Sequence, residues 1–125
     1  MCIRDRDIQF NKKEPMYPQL SRYIKKLILA DELKHYEELP SRRELALQLS
    51  INPNTVQKAY KQLEDEGIIK TISNVRSVVI VNEKILEKLR SEMIEETMKE
   101  FVKECQTSGL DFQQTIVWLT KIWNT

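Results

Sequence analysis

The pattern of apolar and polar positions is most regular in two short consecutive segments, between about Leu39 and Gly67. In each segment the apolar residues recur at helical spacing, which places them on one side of a helix. They are Leu45, Ala46 and Leu49 in the first segment and Val56, Ala59, Tyr60 and Leu63 in the second. The second segment opens with small polar side chains on its other face. This arrangement predicts a helix-turn-helix, whose second helix enters the major groove of DNA.

Residues at the ends of these two segments favour the same boundaries. Ser41 precedes the first helix and Glu44 follows three residues later, which is the pattern of a capping box. Asn52 is a suitable cap for the second helix, and Pro53 suits its first position. Gly67 is expected to end that helix in the left-handed conformation that glycine adopts at low cost.

One more helix is predicted before this unit. It starts near Pro18, and its apolar residues lie at helical spacing. They are Leu20, Tyr23, Ile24, Leu27 and Ile28. The segment Asp31–Glu38 is predicted to be a loop, with Leu33 and Leu39 turned into the core.

The apolar period changes after Gly67. The β-branched runs Ile68–Ile72 and Val75–Val81 predict a β-hairpin, the wing of a winged helix-turn-helix. A long helix at about Glu83–Gln106 and a short one at about Asp111–Trp123 follow. The expected fold is mainly α with a small β-hairpin, in which a winged helix-turn-helix domain precedes a two-helix dimerisation tail.

Three parts of the chain follow from this pattern. Residues 1–14 are an N-terminal extension, residues 15–82 are the DNA-binding domain, and residues 83–125 are the helical tail. The first six residues match nothing in the pattern, so they are expected to be either disordered or an artefact. The N-terminus has no apolar signal region and the chain has no apolar run of bilayer length, so we expect a cytoplasmic protein without a membrane partner.

Composition narrows the function classes. The chain is 41% hydrophobic and 31% charged, which is typical of a helix-rich globular protein. Its net charge is +1, so positive charge must be placed locally if it binds nucleic acid. Cys2 and Cys105 lie far apart in no motif, and His35 has no partners at metal-ligand spacing. With no nucleophile–base pair, carboxylate pair or phosphate loop, we expect neither an enzyme nor a cofactor or metal site.

Side chains on or beside the first turn of the second helix are the candidates for contact with bases. They are Asn54, Thr55, Gln57 and Lys58. Asparagine and glutamine can pair bidentately with adenine, and threonine can contact base edges or phosphate. Asn52 is first a cap and second a DNA contact, and the turn is expected to offer free backbone amides to a phosphate. Arg42, Lys61 and Arg76 are candidates for phosphate contacts.

Several sequence words resemble those of a known family. They are PMYPQL, LPSRRELA and INPNTVQKAYKQLEDEGII, followed by the predicted hairpin. On these words, Pro15–Val81 resembles the DNA-binding domain of GntR-type bacterial transcription regulators, and the short helical tail resembles that of the YtrA-type subgroup. The resemblance implies a dimeric repressor whose tail forms the dimer. Arg43 matches the arginine by which this family contacts DNA.

The chain departs from the family pattern at four places. His35-Tyr36 replaces the usual Pro-Gly, Ser50 stands where glycine is common, and Arg42 adds a cation beside Arg43. A left-handed conformation at Ser50 would cost on the order of 1 kcal/mol. The wing SNVRSVV lacks the glycines of the usual wing tip, which argues against insertion into the minor groove. The alternative function is therefore a protein-interaction module derived from such a regulator, with weakened DNA binding.

The tail favours a homodimer on physical grounds. A long helix with a wide apolar face and one short helix cannot bury that face alone, and twofold pairing would cover it. The candidate interface residues are Leu86, Leu89, Met93, Phe101, Ile116, Trp118, Leu119 and Trp123. A dimer would present two recognition helices to double-stranded DNA with a palindromic operator. The sequence leaves open whether a small-molecule effector binds at this interface.

Overall fold

A computed structural model describes residues 8–73 and 76–125, in which five α-helices and one two-stranded sheet follow one another. The elements are α1 (Met16–Leu29), α2 (Arg42–Leu49), α3 (Pro53–Asp65), β1 (Ile69–Ser73), β2 (Arg76–Val79), α4 (Glu83–Thr107) and α5 (Phe112–Ile122). The predicted fold class, mainly α with a small hairpin and a two-helix tail, is confirmed. Residues 1–6, which include Cys2, lie outside the described residues, so the expectation for them stays a prediction.

Helices α1, α2 and α3 pack around one apolar core, with α3 in contact with both of the others. The side chains predicted for the core are buried, including Leu33 and Leu39 from the connecting loop, except Tyr23, which is half-buried. The largest fully buried ones are Tyr60, Leu20, Ile24, Leu33, Leu45 and Leu63. This core fixes the angle between α2 and α3, on which the candidate site depends.

The predicted helix caps are present. The Ser41 hydroxyl accepts a hydrogen bond from the Glu44 amide at 3.1 Å, and the Glu44 carboxylate accepts one from the Ser41 amide at 3.1 Å. The Asn52 side chain caps α3. Ser50 ends α2 in the left-handed conformation, with φ 55° and ψ 47°, as its replacement of a common glycine predicted. Gly67 is also left-handed, at φ 76°.

The hairpin pairs β1 with β2 in antiparallel register, from Ile69 opposite Val79 to Ser73 opposite Arg76, with one irregularity between Thr71 and Ser73. The second strand ends at Val79, before the predicted Val81. Its predicted start at Val75, and with it the glycine-poor wing tip, lies outside the described residues.

The segment expected to be only a loop also joins this sheet. Glu38 forms an isolated antiparallel bridge with Val78. The Tyr36 amide donates to the Val79 carbonyl at 2.7 Å, and the Leu39 amide donates to the Ser77 carbonyl at 2.9 Å. A single bridging residue carries no alternating pattern, so the sequence did not reveal it. The bridge fixes the base of the hairpin beside the start of α2.

The N-terminal extension is tied to α1 by a buried glutamine. Gln19 is only 8% exposed. Its side chain accepts from the Asn11 amide at 2.9 Å and donates to the Asn11 and Glu14 carbonyls, each at 3.0 Å. These bonds satisfy backbone groups that would otherwise lack partners. Part of the predicted extension is therefore attached to the first helix.

The chain divides into two compact units between Leu89 and Arg90, inside α4. The domain boundary predicted after residue 82 coincides with the start of that helix and stays a prediction. In the second unit, Asp111 caps α5 through a capping box with Gln114, in which the two hydrogen bonds measure 2.8 and 2.9 Å. No residue of α5 is buried, so this helix makes few apolar contacts within its own unit.

Candidate nucleic-acid interface

The outer face of α3 carries a row of polar side chains. Asn54, Lys58 and Lys61 follow at spacings of four and three residues, so they lie one above another along the helix. All three are exposed, on the side opposite the buried Val56 and Leu63. Amide and ammonium side chains of this kind can form hydrogen bonds with base edges and phosphates.

The two remaining candidates on this helix are placed differently. Gln57 is exposed on the flank of the row, whereas Thr55 is half-buried. Both stay near the first turn, as predicted. The structure therefore brings four exposed polar side chains together on α3, with Thr55 at the edge of the group.

The backbone at the start of α3 does not offer the free amides that the sequence suggested. Pro53 has no N–H, the Asn54 amide donates to the Asn52 side chain at 2.8 Å, and the Thr55 amide donates to the Asn52 carbonyl at 2.9 Å. The cap that builds the helix thus uses the donors that a phosphate would need. Asn52 is a cap in this structure, and the expectation that the turn offers free backbone amides was wrong for Asn54 and Thr55, whereas a DNA contact by the Asn52 side chain stays a prediction.

Arg43 lies in the first turn of α2 and is exposed. Within residues 8–73 and 76–125, no hydrogen bond or ion pair engages its guanidinium. Glu44, the next residue, is held in the capping box, and this hydrogen bonding keeps the pKa of its carboxyl group below its usual value. Arg43 is therefore held on a rigid turn with its donor groups available.

The neighbouring Arg42 has a different environment. Its guanidinium carbon lies 5.2 Å from the centroid of the Tyr60 ring, a cation–π distance. Tyr60 is itself fixed, because its hydroxyl donates to the Pro40 carbonyl at 2.6 Å, and burial raises its pKa. The contact with this ring restricts where the Arg42 guanidinium can meet a phosphate.

The other three candidate cations also have partners within the chain. The Lys58 ammonium lies 5.8 Å from the centroid of the Tyr17 ring. Lys61 pairs with Asp65 at 3.6 Å, and Arg76 pairs with Glu38 at 2.9 Å. These contacts are exposed, so each contributes little to stability and can be exchanged for a phosphate contact.

A contact that the sequence did not reveal attaches the hairpin to the end of α3. The Glu64 carboxylate accepts hydrogen bonds from the Thr71 hydroxyl at 2.6 Å and the Thr71 amide at 3.1 Å. The hydroxyl bond is the main reason why the pKa of Glu64 is lowered. The acidic end of α3 therefore helps to position strand β1 of the wing.

The candidate interface residues of the tail differ in exposure. Phe101, Ile116, Trp118 and Trp123 are exposed, with Trp118 at 59%, whereas Leu86, Met93 and Leu119 are half-buried. Leu89 is 3% exposed, so it is buried within its own chain and has almost no surface for a partner. The tail exposes further large apolar side chains that the prediction omitted. They are Ile94, Met98, Val102, Phe112, Val117 and Ile122.

Other chemistry is limited in the part of the chain that the structure describes. No group of three or more His, Cys, Asp or Glu side chains there could hold a metal ion. His35 instead accepts a hydrogen bond from the Val81 amide at 3.1 Å, and Cys105 is a buried free thiol. None of the described helices is both long enough and apolar enough to cross a membrane.

Comparisons with known proteins agree with this geometry. Residues 16–79 match the family described as bacterial regulatory proteins, gntR family. The chain is 37% identical over 109 residues to the HTH-type transcriptional repressor YtrA of Bacillus subtilis, covering 86% of this chain and 84% of the relative.

Two solved structures have the same fold. A GntR family transcriptional regulator from Listeria monocytogenes superposes with a TM-score of 0.82 at 29% identity, covering 90% of this chain and 99% of that one. A transcriptional regulator from Oenococcus oeni superposes with a TM-score of 0.75 at 32% identity, covering 93% and 97%. The similarity thus extends through the tail as well as the helix-turn-helix.

Proposed function

The chain belongs to the GntR family of bacterial regulatory proteins and is a transcriptional regulator with a DNA-binding domain, and from this premise we propose that it represses transcription by binding a palindromic operator as a homodimer. The proteins it resembles are regulators rather than enzymes. The B. subtilis relative of YtrA type is itself named a repressor. The proposed place of action is the cytoplasm, where bacterial DNA lies.

The observation that carries the proposal is the exposed polar row of α3, together with the exposed Arg43 on α2, whose guanidinium has no partner among the described residues. In a helix-turn-helix the second helix enters the major groove, where amide side chains can pair with adenine. The Arg43 guanidinium can grip the O6 and N7 atoms of guanine, or form a fork on a phosphate. Asn54 and Gln57 are the proposed base contacts, and Lys58 and Lys61 approach bases or backbone from the same face.

The remaining cations would serve the phosphate backbone. Arg42 and Arg76 have intrachain partners that a phosphate could replace, and Thr55 at the edge of the row can donate to a phosphate. Such contacts set the position of the protein on the duplex but do not read its sequence. Affinity would therefore fall steeply as salt concentration rises.

The homodimer is proposed from the apolar surface of the tail. Exposed apolar patches of this extent mark interaction sites in soluble proteins. The proposed interface uses Phe101, Ile116, Trp118 and Trp123, with smaller contributions from Leu86, Met93 and Leu119. A twofold pair would place two α3 helices for half-sites about one helical turn apart.

Selection from a pool of random duplexes tests the proposal without a chosen operator sequence. The purified full chain is expected to enrich an inverted repeat with half-sites spaced by about one helical turn, bound at about 10 nM or tighter. A pool that stays random after repeated selection would contradict the proposal. That result would favour the alternative function, an interaction module that acts through its tail.

A further inference from the structure

The ion pair between Glu38 and Arg76 lies near the turn end of the hairpin, because Arg76 is the first residue of β2, and it engages a cation that the proposed function assigns to DNA. The Arg76 Nε atom donates to Glu38 Oε1 at 2.9 Å. The Glu38 side chain is 50% exposed and the Arg76 side chain is 56% exposed. Both groups are therefore within reach of a DNA strand that contacts this edge of the domain. A phosphate and the Glu38 carboxylate would compete for the same guanidinium.

Glu38 is held beside Arg76 by the backbone. The bridge to Val78 aligns Glu38 with β2. Hydrogen bonds on both sides of the bridge, at Tyr36 and Leu39, fix the register. The bridge makes Arg76, two residues before Val78, a diagonal neighbour of Glu38 on the same face, which is within reach of two long side chains.

The surroundings of the pair are acidic. An open groove of about 360 Å³ adjoins it, between the start of β2 and α2. Its ionisable lining groups are Glu38, Glu44 and Arg76, so carboxylates outnumber cations. Glu44 is committed to the Ser41 cap. Glu38 is thus the carboxylate in this groove that faces Arg76, and its charge would repel an approaching phosphate.

We propose that Glu38 is a negative determinant of DNA binding, which competes with phosphate for Arg76 and lowers the sequence-independent affinity of the domain. This inference rests on the proposed function. Weaker phosphate binding lowers the affinity for every sequence by the same factor, so that stable binding then requires the added contacts that read bases. Glu38 would thereby reserve stable binding for sites that also satisfy Arg43 and α3.

A double-mutant cycle measured by fluorescence anisotropy tests the inference. The wild-type chain, Glu38→Gln, Arg76→Gln and the double variant are titrated against a labelled duplex of random sequence, between roughly 50 and 200 mM salt. Because the proposed dimer contacts the duplex through two DNA-binding domains, each carrying the substitution, Glu38→Gln is expected to tighten binding about 2- to 30-fold. The dependence of affinity on salt should also become steeper, and the gain should disappear in the Arg76→Gln background.

Glu37→Gln is the matched control, because it removes the same charge one residue away. An equal gain in this control, or in the Arg76→Gln background, would show a general charge effect and overturn the inference. Unchanged or weaker binding by Glu38→Gln would also overturn it, since Glu38 would then support Arg76 rather than compete with DNA. With either of these results the wild type still binds DNA, so the proposed function stands. If no variant binds DNA and the random-pool selection enriches no sequence, both the inference and the proposed function are wrong.

Discussion

Replacement of Arg43 by alanine is expected to weaken operator binding by at least about 30-fold, because a bidentate arginine contact contributes roughly 1–3 kcal/mol and a dimer loses two of them. The side chain is exposed and engages no partner in the described residues, so the fold should not change. Affinity is measured by anisotropy on the selected operator, and the melting temperature is measured in parallel.

Two further variants separate the role of Arg43 from its charge. Arg43→Lys keeps the charge but loses the planar fork, so it should bind with intermediate affinity. Lys99→Ala removes one positive charge from α4 and should bind almost as the wild type does. If Arg43→Ala bound the operator as tightly as Lys99→Ala, the assignment of Arg43 as a DNA contact would be wrong.

The second large effect is expected from Trp118→Asp, which places a charge on the exposed apolar surface of α5. A buried interface tryptophan commonly contributes about 2 kcal/mol or more, so the dissociation constant of the dimer should rise at least about 30-fold. Sedimentation velocity should then show monomers at concentrations where the wild type is dimeric. Operator binding should weaken as well, because each monomer reads only one half-site.

Gln113→Asp is the control for this variant, since it introduces the same carboxylate at an exposed polar position of the same helix. It should leave the dimer intact. A Trp118→Asp chain that sediments as the wild type does would place the interface elsewhere. Equal dissociation in both variants would point to a general effect of charge on α5.

Features set by neighbouring residues could be predicted from the sequence. The capping box at Ser41 and Glu44, the cap at Asn52 and the left-handed Ser50 all depend on a few adjacent positions. The core residues of α3 followed from helical periodicity in the same way. These local rules determined which side chains of the helix-turn-helix pack inside and which remain exposed.

Contacts between distant residues could not be predicted in this way. Neither periodicity nor composition indicates that Arg42 stacks on Tyr60 or that Arg76 pairs with Glu38. The burial and hydrogen bonds of Gln19 could not be predicted either, because a glutamine in a helix usually faces solvent. Such side chains acquire their partners only when the core brings their elements together. The number of cations in the sequence therefore overstated how many have no partner within the chain.

Tyr36 shows a second kind of limit. It adopts φ 67°, in the left-handed region that disfavours a bulky side chain by about 1–2 kcal/mol. The loop accepts this conformation because the Tyr36 amide is bonded to Val79 in β2. Here the pairing with β2 holds a conformation that local preference disfavours, which is why the sequence pattern suggested only an unstructured connection.

The central claim, that two copies of this chain read one palindrome, is tested most directly by comparing the selected inverted repeat with the same duplex after one half-site has been scrambled. We expect the intact repeat to bind two chains, and the scrambled duplex to bind at least about 100-fold more weakly, since several base contacts of roughly 1–3 kcal/mol each are lost. Equal affinity for both duplexes, or one chain bound to the intact repeat, would contradict the account.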